Sequence, residues 1–111
     1  MADWNTSRKP RRIEDEAFLV FVRSRRCSVP GCINPDTDPH HTITRGAGGS
    51  DHFAIPLCRQ HHDEIHSLGK HRFETDHGID LWAVSARILS MFILRTQGRL
   101  PEFVDQFRRI G

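Results

Sequence analysis

Leu57-Cys58-Arg59-Gln60-His61-His62-Asp63-Glu64-Ile65-His66 packs one cysteine and three histidines into ten residues. The stretch Arg59 to Leu68 has the marks of a short helix that ends near Gly69. Cys58 and His61 lie three apart at the mouth of that helix, and His62 and His66 lie four apart along it. An i, i+4 pair shares one helical face, one turn apart. Consecutive helical residues point about 100° apart. His61 can therefore face one way with Cys58 while His62 faces another with His66. A single helix would then separate two metal sites by its own twist. The competing pairing, Cys58 with His62, leaves His61 and His66 without natural partners.

Upstream, Cys27 and Cys32 sit five apart, with Pro30 and Gly31 bending the chain between them. The cysteine count is three, and a disulfide framework prefers an even number. Three thiolates and one imidazole complete a tetrahedral zinc shell, so Cys27, Cys32, Cys58 and His61 form a candidate structural zinc knuckle. Three inert buried cysteines are the plainer alternative, but the metal pairing uses every cysteine in the chain. The set fits a reducing, cytoplasmic setting. It also meets a need: at 111 residues and 37% apolar content the core is thin, and small domains often add a staple.

A three-ligand site needs a donor besides His62 and His66. His40 and His41 lie on a short expected strand, His40 to Thr44. The glycine-rich turn from Arg45 to Asp51 leads to a second strand, Phe53 to Leu57. Neighbouring residues on a strand face opposite ways, so His40 and His41 are not both ligands of one ion. Periodicity does not say which is the ligand. Three protein ligands leave positions open for water or phosphate, as catalytic metal sites require.

The rest of the chain frames these elements. Residues 1–12 read as a flexible basic arm carrying Arg8, Lys9, Arg11 and Arg12, and Arg23, Arg25 and Arg26 follow. The formal net charge of +2 points weakly to a polyanionic partner. Ile13 to Arg23 is expected to be helical, with Glu14, Asp15 and Glu16 at its positive end. Residues 27–39 read as loop. Residues 80–96 are expected to form a buried helix holding Trp82 and Phe92, and residues 102–109 a last short one. His71 and His77 read as surface residues. No apolar leader or membrane-length apolar run is visible, which points to a soluble, cytoplasmic protein. A homodimer would suit double-strand cutting, but no heptad marks an interface.

The order Cys-x4-Cys, His40-His41, glycine-rich turn, then Cys58 through His66 resembles the HNH (ββα-metal, or His-Me finger) endonuclease family. It looks closest to small phage and bacterial members related to the recombination nuclease Ref. The resemblance implies an α+β fold: a small ββα-metal core over 27–66 with a structural zinc knuckle. N- and C-terminal helices would flank it within one domain, 13–111. It implies that His40, His62 and His66 hold a catalytic divalent ion such as Mg2+, Mn2+, Ni2+ or Zn2+, and that His41 is the general base. Cys27, Cys32, Cys58 and His61 resemble the structural zinc ligands of many members. The family spacing puts Phe53 where the middle asparagine stands. Asp51 or His52 can take over the role of orienting His41, with Asp51 favoured. The implied activity is hydrolysis of DNA phosphodiester bonds to leave 5′-phosphates. Arg45, Arg59 and the arm (Arg8, Lys9, Arg11, Arg12) are expected to contact phosphates without reading bases. The alternatives are a non-catalytic zinc-stabilised DNA-binding module and a metal store.

Overall fold

The computed structural model describes residues 12–98. Arg8, Lys9, Arg11 and the expected helix over 102–109 lie outside them. The described residues form an α+β fold with one two-stranded antiparallel sheet and four helices.

Helix α1 (Glu16–Arg23) begins three residues later than its charge pattern implied. Asp15 is the reason: its carboxylate accepts from the Phe18 amide at 3.0 Å, which makes it the N-cap, not a first-turn residue. The helix buries Phe18, Leu19, Phe21 and Val22 and leaves Ile13, before it, exposed.

Strand β1 (Thr37–His41) pairs with β2 (Ala54–Cys58), Thr37 opposite Cys58 and His41 opposite Ala54. Strand β1 thus starts and ends three residues before the expected strand, His40 to Thr44, since Pro39 lies inside β1 and not in a loop. Pro39 faces Pro56 across the pair. Neither has an N–H to give, so they suit a site where the ladder asks for none. The Pro56 carbonyl instead accepts from the Ser28 amide at 3.0 Å and its hydroxyl at 2.8 Å. Those bonds tie the first cysteine loop to the sheet edge.

The connection between the strands holds two 3-10 turns, Arg45–Ala47 and Asp51–Phe53, capped by the Thr44 and Ser50 hydroxyls. Gly49 seals it. A Cβ there would fall inside the Ile43 carbonyl, so only glycine lets the loop close.

Helix α2 spans Arg59–Leu68, as its sequence predicted. Helix α3 (Lys70–His77) has no counterpart in the sequence reading, since Phe73 is its one buried residue and it shows no apolar stripe. Helix α4 (Leu81–Thr96) is capped by Asp80, which accepts from Ala83, and by Glu74, which accepts from Leu81. Phe92 of α4 meets the Phe18 and Phe21 rings of α1 at 5.2 and 5.5 Å between centroids. Trp82 was expected in the core but is 53% exposed, resting its edge on Phe53. Among the described residues no single helix is long and apolar enough to cross a membrane.

Candidate metal centres

Helix α2 divides the chemistry. On one side Cys27, Cys32, Cys58 and His61 bring one donor atom each to within 4.8 Å of one another. The grouping is a candidate metal site, and three sulfurs with one imidazole suit zinc or a similarly soft ion. His61 Nδ1 lies 3.3 Å from Cys27 Sγ and 3.2 Å from Cys58 Sγ. Gly31, at φ +83°, turns the chain so that Cys32 comes back to Cys27, and the Cys32 amide closes the loop on the Val29 carbonyl at 3.0 Å. Cys27 and Cys58 are buried and Cys32 is half-buried. Burial pushes the Cys27 thiol up to about 11, against hydrogen bonds from the Cys58 and Val29 amides. The Asn34 amide holds the Cys32 thiol below its ordinary value. Cys58 opens α2 as its N-cap residue, without a side-chain cap bond. All three cysteines are free of disulfides.

On the other side His40, His62 and His66 bring their donors to within 4.8 Å of one another. The His40 ring lies 5.2 Å from that of His62 and 5.3 Å from that of His66. His40 is buried, His62 half-buried and His66 exposed, so the group opens to solvent on the His66 side. Burial, followed by the neighbouring His62 and His66, pushes the His40 imidazole down to about 4. Burial and His66 lower His62 as well. Both are therefore neutral near pH 7, the form that ligates. Among the described residues, His40 Nε2 is buried with no hydrogen-bond partner. An orphaned nitrogen among two more imidazoles fits a metal ion, which would take its lone pair.

His41 faces away from that group. Its Nε2 lies 2.8 Å from Asp51 Oδ1, and Asp51 is 3% exposed. Strand alternation thus separates His40 from His41, with His40 the one grouped with His62 and His66. Burial raises the Asp51 carboxyl, but hydrogen bonds from His41, the Asp15 amide and Arg12 outweigh it and leave it at about 2. Asp51 is ionised at neutral pH and accepts only, so His41 Nε2 is the donor in the bond between them.

Several expectations change. His52 turns to Asp15 at 2.8 Å and packs its edge on Phe18, so it braces α1 and not His41. Phe53, which the resemblance set where the middle asparagine would stand, meets Trp82. His77 is no idle surface residue: its Nε2 lies 2.6 Å from Glu64, and its ring is 5.2 Å from that of His61. His61, Glu64 and His77 form a third grouping of donors. Arg12 is not a loose member of an arm. Its guanidinium bonds Asp51 at 2.7 Å and Glu14 at 2.9 Å. Arg45 and Arg59 are exposed, and Arg59 makes a 3.4 Å contact to Asp63 one turn on. Lys70 donates to the Thr42 carbonyl, just past His41, and the sequence reading did not single it out.

The uncharacterized protein YdfU of Escherichia coli (strain K12) is 41% identical over 64 residues. That match covers 53% of this chain but 18% of the relative, so the chain spans less than a fifth of that protein's length. No solved structure matches. The pattern of one family covers residues 4–93, from before α1 to near the end of α4. The chain therefore belongs to the family described as "Protein of unknown function (DUF968)".

Proposed function

We propose that the protein is a metal-dependent endonuclease of the HNH type, hydrolysing DNA phosphodiester bonds. One observation carries this reading. His41, bound through Nε2 to a buried carboxylate, sits next in sequence to His40, whose Nε2 has no partner and which is grouped with His62 and His66.

His41 is suited to act as general base. Asp51 fixes the ring as the Nε2–H tautomer, which leaves Nδ1 to take a proton from water. As that proton arrives, the Asp51 carboxylate stabilises the imidazolium. His40, His62 and His66 would hold the catalytic ion, a divalent cation that supplies Lewis-acid stabilisation of charge on the phosphate. The Cys27, Cys32, Cys58 and His61 group would hold a structural zinc that locks α2 against β2 and the first cysteine loop. Arg45, Arg59 and Lys70 offer positive charge for phosphate contacts that do not read sequence.

The test is incubation of supercoiled plasmid with the protein and Mg2+, Mn2+, Ni2+ or Co2+, with EDTA as control. Nicking that disappears in His41→Ala, while that variant keeps its fold and zinc, supports the reading. Undiminished cleavage by His41→Ala removes the general base. Plasmid binding by the wild type without cleavage in any metal favours the zinc-stabilised DNA-binding module instead.

A further inference from the structure

The basic segment that sequence alone assigns to DNA ends in a residue the fold uses otherwise. Asp51 receives three hydrogen bonds. Its Oδ1 accepts from His41 Nε2 at 2.8 Å and from Arg12 at 2.7 Å, and its Oδ2 accepts from the Asp15 amide at 2.8 Å. The Asp51 amide in turn donates to the Ile13 carbonyl at 2.9 Å. The same Arg12 nitrogen also reaches the Gly49 carbonyl at 3.4 Å, and the other end of the guanidinium holds Glu14. Residues 12–15 thus clasp residues 49–52, far from them in sequence.

The geometry points to Arg12 as a positioning residue that holds the Asp51 carboxylate in place and, through it, the His41 ring. This rests on the nuclease reading for its kinetic consequence but not for its geometry. A carboxylate anchored by one donor can swing about its terminal bond. Bonds from opposite sides, Arg12 on Oδ1 and the Asp15 amide on Oδ2, fix its plane. The carboxylate plane then fixes the direction in which His41 must present Nε2–H, and so where Nδ1 points. Partners that orient a reacting imidazole typically matter by about 10- to 100-fold. Arg12 also offers little to a phosphate, because its fork already carries two carboxylates and a carbonyl.

A DNA contact and a positioning residue fail differently when removed. With the metal-loaded full chain, Arg12→Ala is expected to lower kcat by about 10- to 100-fold while KM and its salt dependence hold steady. Arg12→Lys, which can still reach Oδ1, is expected to restore much of kcat. Glu14→Ala cuts only the solvent-side contact and is expected to leave kcat unchanged. The geometry has its own readout in 15N NMR of the histidine rings. The wild type is expected to show a protected His41 Nε2–H, and Arg12→Ala to lose that protection while Arg12→Lys retains it. A raised KM with a shallower salt slope and unchanged kcat in Arg12→Ala would overturn the inference, and so would an equally protected His41 ring. If the wild type cuts no DNA in any metal, the nuclease reading falls, and the ring protection alone decides the role of Arg12.

Discussion

The two donor groups on either side of α2 differ in how they are closed. The sulfur-rich group offers four ligands, two of them buried and two half-buried, with His61 Nδ1 already within 3.3 Å of two thiols. The imidazole group offers three ligands graded from buried His40 to exposed His66. Four protein ligands fill a tetrahedral ion and leave nothing for substrate, whereas three leave room. The contrast teaches that one short helix can present two separate donor groups of different openness, because residues 61 and 62 are turned apart by about 100°.

The difference can be broken from either side. The largest effect is expected at the sulfur-rich group. Cys58→Ala leaves three ligands and removes the β2 sulfur from the group, keeping only the Ser28 bonds to Pro56 between β2 and the first cysteine loop, and structural zinc sites contribute on the order of 10 kcal/mol to folding. Circular dichroism with metal analysis is expected to show a chain that neither holds zinc nor folds. At the open side, His41→Ala is expected to lower cleavage by about 10²- to 10⁴-fold with the fold and zinc content intact, measured by plasmid nicking. Gly49→Ala drives a Cβ into the Ile43 carbonyl. It is expected to cost about 3 kcal/mol in urea unfolding, with the zinc still bound.

The open site also predicts a pH dependence. His40 holds its proton less tightly folded, at about 4, than its ordinary value of 6.5. The unfolded chain therefore takes up more protons in that window, and stability falls as pH drops from about 6.5 to about 4, then levels. One group contributes at most about 1.4 kcal/mol per pH unit. Urea unfolding with one equivalent of zinc per chain is expected to show a shallower slope for His40→Gln than for wild type. Smallest of all, Arg59→Ala removes an exposed i, i+4 contact to Asp63 and is expected to change stability by no more than about 0.5 kcal/mol. A larger change would mean that α2 depends on its outer face as well as on its two donor groups.

Much of this was legible in residue spacing. The pairings Cys27–Cys32 and Cys58–His61 and the separation of His61 from His62 follow from i+3, i+4 and i+5 intervals, and the bounds of α2 from the stop at Gly69. The partnership of Asp51 with His41 came from the resemblance to the HNH family and not from spacing, as a favoured choice over His52. What was hidden had physical causes. Helix α3 shows no apolar stripe because it buries only Phe73. Strand β1 starts at Thr37 because Pro39 pairs with Pro56, where no ladder N–H is needed. Arg12 looked like one more charge in a basic run. Its bond to Asp51 spans 39 residues, and no local pattern encodes a contact of that range. His77 was passed over for the same reason, since Glu64 lies on a different helix.

The most direct measurement is a cobalt(II) titration followed by absorption spectroscopy on wild type, His61→Ala and His62→Ala. Thiolate-bound cobalt gives sulfur-to-metal charge-transfer bands that an all-imidazole site lacks. Separate centres predict two phases in the wild type, loss of only the thiolate-free phase in His62→Ala, and altered charge-transfer bands in His61→Ala. A single phase in the wild type, or the same thiolate bands lost in both variants, would mean that the neighbouring rings serve one ion, and the two-centre reading would be wrong.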